Sequence, residues 1–150
     1  MTHSIIHKAI KAVTAIVAIG AMSATATLAT TGAAQADSCW NHNGSLMRLV
    51  AQGNNRWFYY ENPRRVLRNA GVRPGTLLFN GVKRGNSYSG TSRVFSKWCN
   101  APLEYYVQGP VSSSQTRVTI RGTRDVYASG CRNTGRQKRD TLVFTYSHQC

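Results

Sequence analysis

The longest pair of alternating apolar runs in the chain lies between Gly75 and Phe95. Leu77 and Phe79 fall on one face of the first run and Leu78 and Val82 on the other, while Tyr88, Val94 and Phe95 mark the second. Between them Lys83-Arg84-Gly85-Asn86 holds residues that tolerate positive φ, so the segment predicts a β-hairpin. Asn80-Gly81 is also a turn-type pair, but the apolar pattern resumes only briefly at Val82, and a bulge is predicted there.

Upstream, Asp37 to Gly44 is polar and turn-rich. Ser45 to Gln52 alternates Leu46, Arg48 and Val50 against Met47, Leu49 and Ala51, which predicts a first strand. Gly53-Asn54-Asn55 is a turn, and the aromatic run Arg56-Trp57-Phe58-Tyr59-Tyr60-Glu61 completes a second hairpin. Asn62 to Gly71 breaks the alternation. With Asn62 as N-cap, Pro63 at the first helical position and Gly71 past the end, it predicts a short helix of two turns. Val66, Leu67 and Ala70 would cover one end of a barrel, with Arg64, Arg65 and Arg68 outward.

Downstream, Ser96 to Pro102 is a loop, Tyr105 to Val107 a strand ending at Gly109-Pro110, and Thr116 to Arg121 a strand with Val118 and Ile120 inward and Arg117 and Arg121 outward. Arg121 to Asp140 is polar and basic and reads mostly as loop, with local pairing at Val126-Tyr127. Thr141 to Tyr146 closes the chain with Leu142, Phe144 and Tyr146 on one face. The predicted fold is all-β, a small antiparallel barrel or sandwich of about seven to eight strands with one short helix and two disulfides.

The N-terminal segment belongs to a different category. His7, Lys8 and Lys11 precede a largely apolar run from Ala12 to Met22, and a small-residue tail ends in Ala34-Gln35-Ala36, the pattern of a Sec-type signal peptide cleaved after Ala36. Ser23, Thr25 and Thr27 interrupt the run short of the roughly 20 apolar residues of a membrane span. Cys39 does not directly follow the cleavage site, so no lipid anchor is expected. The organisation expected is a signal peptide over 1–36 and one secreted domain over 37–150, periplasmic or extracellular, large enough for its own core. Cys39, Cys99, Cys131 and Cys150 all fall in that domain, where an oxidising compartment predicts two disulfides. From Asp37 onward no CxxC or HxxxH spacing is present, so neither a metal site nor a cofactor is expected.

Charge narrows the partner. From Asp37 onward the chain carries 14 Arg and 3 Lys against 5 acidic residues, leaving +12. An anionic partner (envelope glycan, lipid or nucleic acid) fits this balance, and the arginine excess suits bidentate contact with phosphate or carboxylate. A merely solubilising surface is the competing account. The candidate anion-binding residues are Arg56, Tyr59 and Tyr60 on the aromatic strand with Arg64, Arg65 and Arg68 on the helix, where guanidinium contact and stacking would act together. Phe58, Trp57 and one of the tyrosines compete as core residues.

Trp40-x-His42-Asn43-Gly44-Ser45-x-Met47, Phe58-Tyr59-Tyr60 with Pro63-Arg64, Gly71-Val72-x-x-Gly75-Thr76-Leu77-Leu78-Phe79, Tyr88-x-Gly90-Thr91 and Leu142-Val143-Phe144-Thr145-Tyr146 together resemble a family of small exported bacterial β-domain proteins of unknown function. The resemblance spans nearly the whole chain after the signal peptide. It implies a compact β domain with a Cys99–Cys131 disulfide and no particular activity; Cys39 and Cys150 are a departure from it. A weaker likeness, Ser87-Tyr88-Ser89-Gly90 followed by Phe95-Ser96-Lys97-Trp98, is similar to the loop region of periplasmic lysozyme-inhibitor barrels. Its spacing departs from that motif, and like charge opposes a basic lysozyme.

Chain entropy does not choose among the three disulfide pairings. Cys39–Cys150 with Cys99–Cys131 would contribute roughly 4.8 and 3.7 kcal/mol, against roughly 4.3 and 3.3 for Cys39–Cys99 with Cys131–Cys150. Topology favours the first: Cys39 precedes the first strand, Cys150 follows the last, and a closing barrel sets those strands side by side. No enzyme is predicted. The alternative is a secreted ribonuclease using His42 and His148, should the chain ends meet, with Glu61 or Glu104 as an extra base. A structural envelope protein is the third class.

Overall fold

The computed structural model describes residues 37–150, and the signal-peptide expectation for 1–36 lies outside the described residues. Eight strands, each antiparallel to the next and the last to the first, close a barrel. They are β1 (Ser38–His42), β2 (Ser45–Gln52), β3 (Asn55–Asn62), β4 (Leu77–Arg84), β5 (Ser87–Val94), β6 (Leu103–Pro110), β7 (Arg117–Ala128) and β8 (Arg132–Gln149), with one helix, α1 (Arg65–Asn69), between β3 and β4. The barrel, and not the sandwich, is therefore the fold.

Three of the hairpins turn on two residues, Asn43-Gly44, Gly53-Asn54 and Gly85-Asn86, with positive φ at Asn43, Gly44, Gly53 and Gly85. Asn43-Gly44 joins His42 to Ser45 and makes Ser38–His42 a paired strand, so the first strand precedes the segment that reads as one by alternation. Inward positions fill the centre of the barrel. Met47, Phe58, Phe79, Val107, Val118, Ile120 and Phe144 are all fully buried, and Phe58 stacks on Phe144 at 3.9 Å between ring centroids. This plug divides the interior into two end cavities.

The predicted bulge at Asn80-Gly81 is displaced. Pairing of β4 with β5 runs unbroken from Phe79 to Arg84, whereas the β3–β4 register skips Leu78, which turns both Leu78 and Phe79 inward. Gly81 instead permits close approach: a Cβ there would lie 2.2 Å from the Ser89 carbonyl oxygen. Gly122 does the same where β6 and β7 cross, since a Cβ would fall 2.1 Å from the Tyr106 carbonyl oxygen.

The helix is shorter than predicted. Arg64, with an extended backbone, occupies the N-cap position and Pro63 lies before it, fully buried. Leu67 packs on the core, while Val66 is 58% exposed and covers nothing.

The largest correction concerns Arg121 to Asp140, which is not loop. β7 continues to Ala128, a 3-10 turn spans Ser129–Cys131, and β8 returns with unbroken pairing from Arg121↔Thr141 to Asp125↔Gln137. Polar cross-strand contacts hold this extension: Asp125 accepts from Asn133 and Gln137, and Thr134 Oγ1 donates to the Val126 carbonyl at 2.7 Å.

Both disulfides match the topological expectation, Cys39–Cys150 and Cys99–Cys131, and belong to an oxidising environment. The first closes the β1–β8 seam. The second fastens the β5–β6 loop to the tip of the β7–β8 hairpin. Among the described residues, no helix is long and apolar enough to cross a membrane.

Candidate functional site

One mouth of the barrel, the helix end, is formed by the β1–β2 turn, α1, the β5–β6 loop and the β7–β8 extension. It holds a cavity of about 210 Å³ among His42, Tyr60, Arg64, Leu78, Arg93, Tyr105, Arg124, Asp140 and their neighbours. Its floor is built from inward positions at strand ends. His42 ends β1 and stacks on Phe144 at 4.7 Å, and Tyr60 near the end of β3 meets Phe95 edge-on at 5.9 Å.

The polar groups here have defined roles. His42 Nδ1 lies 2.9 Å from the Val143 carbonyl, which can only accept, so Nδ1 carries the proton and Nε2 is an acceptor. Burial, opposed by that hydrogen bond, lowers the imidazole pKa, with Arg64 lowering it further and Asp140 acting the other way, so the ring is neutral at pH 7. Burial pushes the Tyr60 phenol up to about 12, and it remains a donor. Among the described residues no buried side-chain nitrogen or oxygen lacks a partner. His42 Nε2 and the Tyr60 hydroxyl make no protein hydrogen bond, so both are open to the cavity.

Asp140 is half committed. Arg124 Nε donates to its Oδ2 at 2.7 Å and Tyr105 donates to the same oxygen at 3.1 Å, leaving Oδ1 as a second acceptor. Arg93 is neutralised by Glu104 at 2.7 Å and also donates to Asn80. Arg64 is held by its backbone, whose N–H donates to the buried Ser45 Oγ at 3.0 Å, while its guanidinium stands exposed on the rim with no partner among the described residues.

The candidate anion-binding residues are not assembled as one patch. Tyr60 and Arg64 meet at the helix end, but Arg56 is buried at the opposite mouth and Tyr59 faces outward beneath Arg48 at 5.4 Å. Arg65 is exposed, and Arg68 donates to the Pro63 carbonyl. His42 and His148 do not converge either: in the β1–β8 register His148 lies opposite Cys39, at the other end of the barrel from His42. The pair required by a ribonuclease is absent. Tyr105, Arg124 and Asp140 are site residues that the alternation pattern did not reveal.

Neutral His42 sets a pH dependence. Its folded pKa lies below the ordinary 6.5, so the unfolded chain binds the extra proton first. The contribution is complete above that value and is lost as pH falls through 6.5 toward the depressed folded pKa. Urea midpoints measured from about pH 8 to about pH 5 are expected to fall more steeply for the parent chain than for His42→Phe. Parallel slopes would mean that His42 takes up its proton as readily in the fold as in the unfolded chain.

No protein-family model matches the chain, and no characterised protein matches it by sequence. Solved structures do resemble it. The rhizavidin–biotin complex aligns with 77% of this chain and 95% of its own, at 14% identity and a TM-score of 0.51. The intact afifavidin apo form aligns with 77% of this chain and 84% of its own, at 20% identity and a TM-score of 0.50. At these identities the likeness is one of fold, and the chain has the eight-stranded barrel architecture seen in those avidins.

Proposed function

We propose that this protein is a non-enzymatic binding barrel that takes a small ligand with an anionic group at the helix end. The carrying observation is the convergence there of one open acceptor, His42 Nε2, the Asp140 carboxylate with its Oδ1 uncommitted, one open donor, the Tyr60 hydroxyl, and the guanidinium of Arg64, which has no partner among the described residues. Two acceptors and a donor on the floor complement a head group with N–H donors beside a carbonyl, as in an amide or cyclic urea. A cation on the rim complements a carboxylate at the ligand's other end. The Cys99–Cys131 bridge supports the reading, because it ties two rim segments together in advance of binding.

Biotin, the ligand of the rhizavidin complex, joins a cyclic urea to a carboxylate and is the first probe to test. Calorimetric titration of biotin is expected to show one site per chain. Tyr60→Phe should weaken it roughly tenfold, about 1.5 kcal/mol for a lost hydrogen bond, and Arg64→Ala should weaken biotin more than biotin amide. No binding of either compound, or binding indifferent to both substitutions, overturns the reading.

A second reading places a polyanion on the outer surface, centred on the exposed Arg64, Arg65 and Arg68 of the helix with Arg132, Arg136, Lys138 and Arg139 also exposed. Salt-sensitive retention on heparin without biotin binding, reduced more by Arg64→Glu with Arg68→Glu than by Arg117→Glu with Arg121→Glu, would put it in place of the first.

A further inference from the structure

The opposite mouth, the terminal end, has chemistry of its own. It lies beyond the Phe58–Phe144 plug and holds a larger cavity, about 310 Å³, lined by Trp40, Leu49, Arg56, Lys83, Tyr88 and Tyr146 among others. Arg56 occupies an inward position of β3 in the series Arg56, Phe58, Tyr60 and is only 7% exposed. A guanidinium so placed ordinarily faces a carboxylate, because an unpaired buried charge is costly. Here its protein partners are all neutral. Nε donates to the Tyr88 hydroxyl at 3.2 Å, and Nη1 donates to the Gly53 and Asn55 carbonyls, each at 2.7 Å.

Among the described residues no acidic side chain is left to complete the pair. The five carboxylate side chains of residues 37–150 are engaged elsewhere: Asp37 and Glu61 with Arg48, Glu104 with Arg93, Asp140 with Arg124, and Asp125 with Asn133 and Gln137. Arg56 Nη2 makes no hydrogen bond, and since no buried side-chain nitrogen among the described residues lacks a partner, it opens on the cavity. Two further donors face the same space. Lys83 sits across from Tyr88 in the β4–β5 register and uses one ammonium hydrogen on Gln115 Oε1 at 2.6 Å, keeping two. Tyr88 accepts from Arg56, so its own hydroxyl hydrogen is uncommitted; burial raises its pKa and it stays a phenol.

The walls are aromatic. Trp40 meets Tyr146 edge-on at 5.8 Å, with Leu49 and Ala51 alongside. We infer that the terminal end is a second binding site, specific for a small aromatic carboxylate, whose anionic group completes Arg56 and Lys83 while its ring lies among Trp40, Tyr88 and Tyr146. The carbonyls of the β2–β3 turn hold the guanidinium in place before the ligand arrives, so little ordering accompanies binding. The site is independent of the reading at the helix end, from which the plug separates it.

Benzoate is the probe, with inorganic phosphate as the comparison anion, followed by two-dimensional NMR of the arginine Nε–H and tryptophan indole N–H signals of the purified protein. Benzoate is expected to shift the Arg56 and Trp40 signals saturably. Arg56→Gln should weaken it at least tenfold and Lys83→Gln several-fold, while Arg64→Ala and Tyr60→Phe leave it unchanged. Phosphate should bind at least tenfold more weakly than benzoate. Should Arg56→Gln fail to fold, Lys83→Gln decides alone. Absence of saturable shifts, binding indifferent to Lys83→Gln, loss of binding in the helix-end variants, or phosphate binding as well as benzoate overturns the inference.

Discussion

Replacing Phe144 with alanine is expected to destabilise the barrel by about 3–5 kcal/mol, the range for an aromatic side chain removed from a packed core. Phe144 is fully buried on β8, stacked on Phe58 at 3.9 Å with planes 8° apart, and it supports the His42 ring on its other side. Its loss therefore leaves a void at the centre of the plug that the rigid β1–β8 and β7–β8 pairings cannot collapse. Urea unfolding should show a lower midpoint at unchanged slope. The same experiment on Tyr146→Ala, whose ring is 41% exposed, is expected to cost distinctly less. Equal losses would mean that the barrel centre is not the core. The void also joins the two end cavities, so benzoate and biotin affinities, independent in the parent protein, should both change in Phe144→Ala.

Removing the Cys39–Cys150 bridge by double alanine substitution is the second large effect. The bridge spans 111 residues, and the loop-entropy relation assigns it about 4.8 kcal/mol against about 3.7 for Cys99–Cys131, which spans 32. The difference in consequence should exceed the difference in size. Cys39–Cys150 secures the seam that closes the barrel, at a point where the β1–β8 register shifts between Cys39 and Trp40. Its loss should lower the thermal midpoint and weaken benzoate at the terminal end. Loss of Cys99–Cys131 should spare the barrel and loosen the helix-end rim, raising the Kd for biotin. Interchanged effects on the two ligands would contradict the assignment of one bridge to each end.

The two mouths were unequally legible. Tyr60 and Arg64 stand out in the sequence as an aromatic and a cation close together, and they do meet at the helix end. Arg56, drawn from the same short stretch, belongs to the opposite end because a strand of eight residues carries its two termini to different mouths. Asp140, Arg124 and Tyr105 carried no signal. In the β7–β8 extension the β8 residues from Arg132 to Arg139 are mostly exposed and the β7 residues from Arg124 to Ala128 are all half-buried, so nothing enforces the apolar alternation by which a strand is recognised. Asn43-Gly44 did carry one, a two-residue turn that makes Ser38–His42 a strand, but the polar neighbours Asn41 and His42 masked it.

By itself the sequence determined the all-β class, the central hairpin with its turn at Gly85-Asn86, the inward series Leu142 and Phe144, and, through the position of its cysteines, the pairing of the bridges. These are local matters of period and turn chemistry, or follow from closure of the chain on itself. Tertiary structure alone decided which polar side chains share a cavity. That depends on register around eight strands, where a single skipped residue such as Leu78 changes which side chains face inward. It also decided that Arg56 would be buried without an acidic side chain, because the charge of a site is set by neighbours tens of residues away: Lys83 and Tyr88 beside it, and the acidic side chains engaged with other partners.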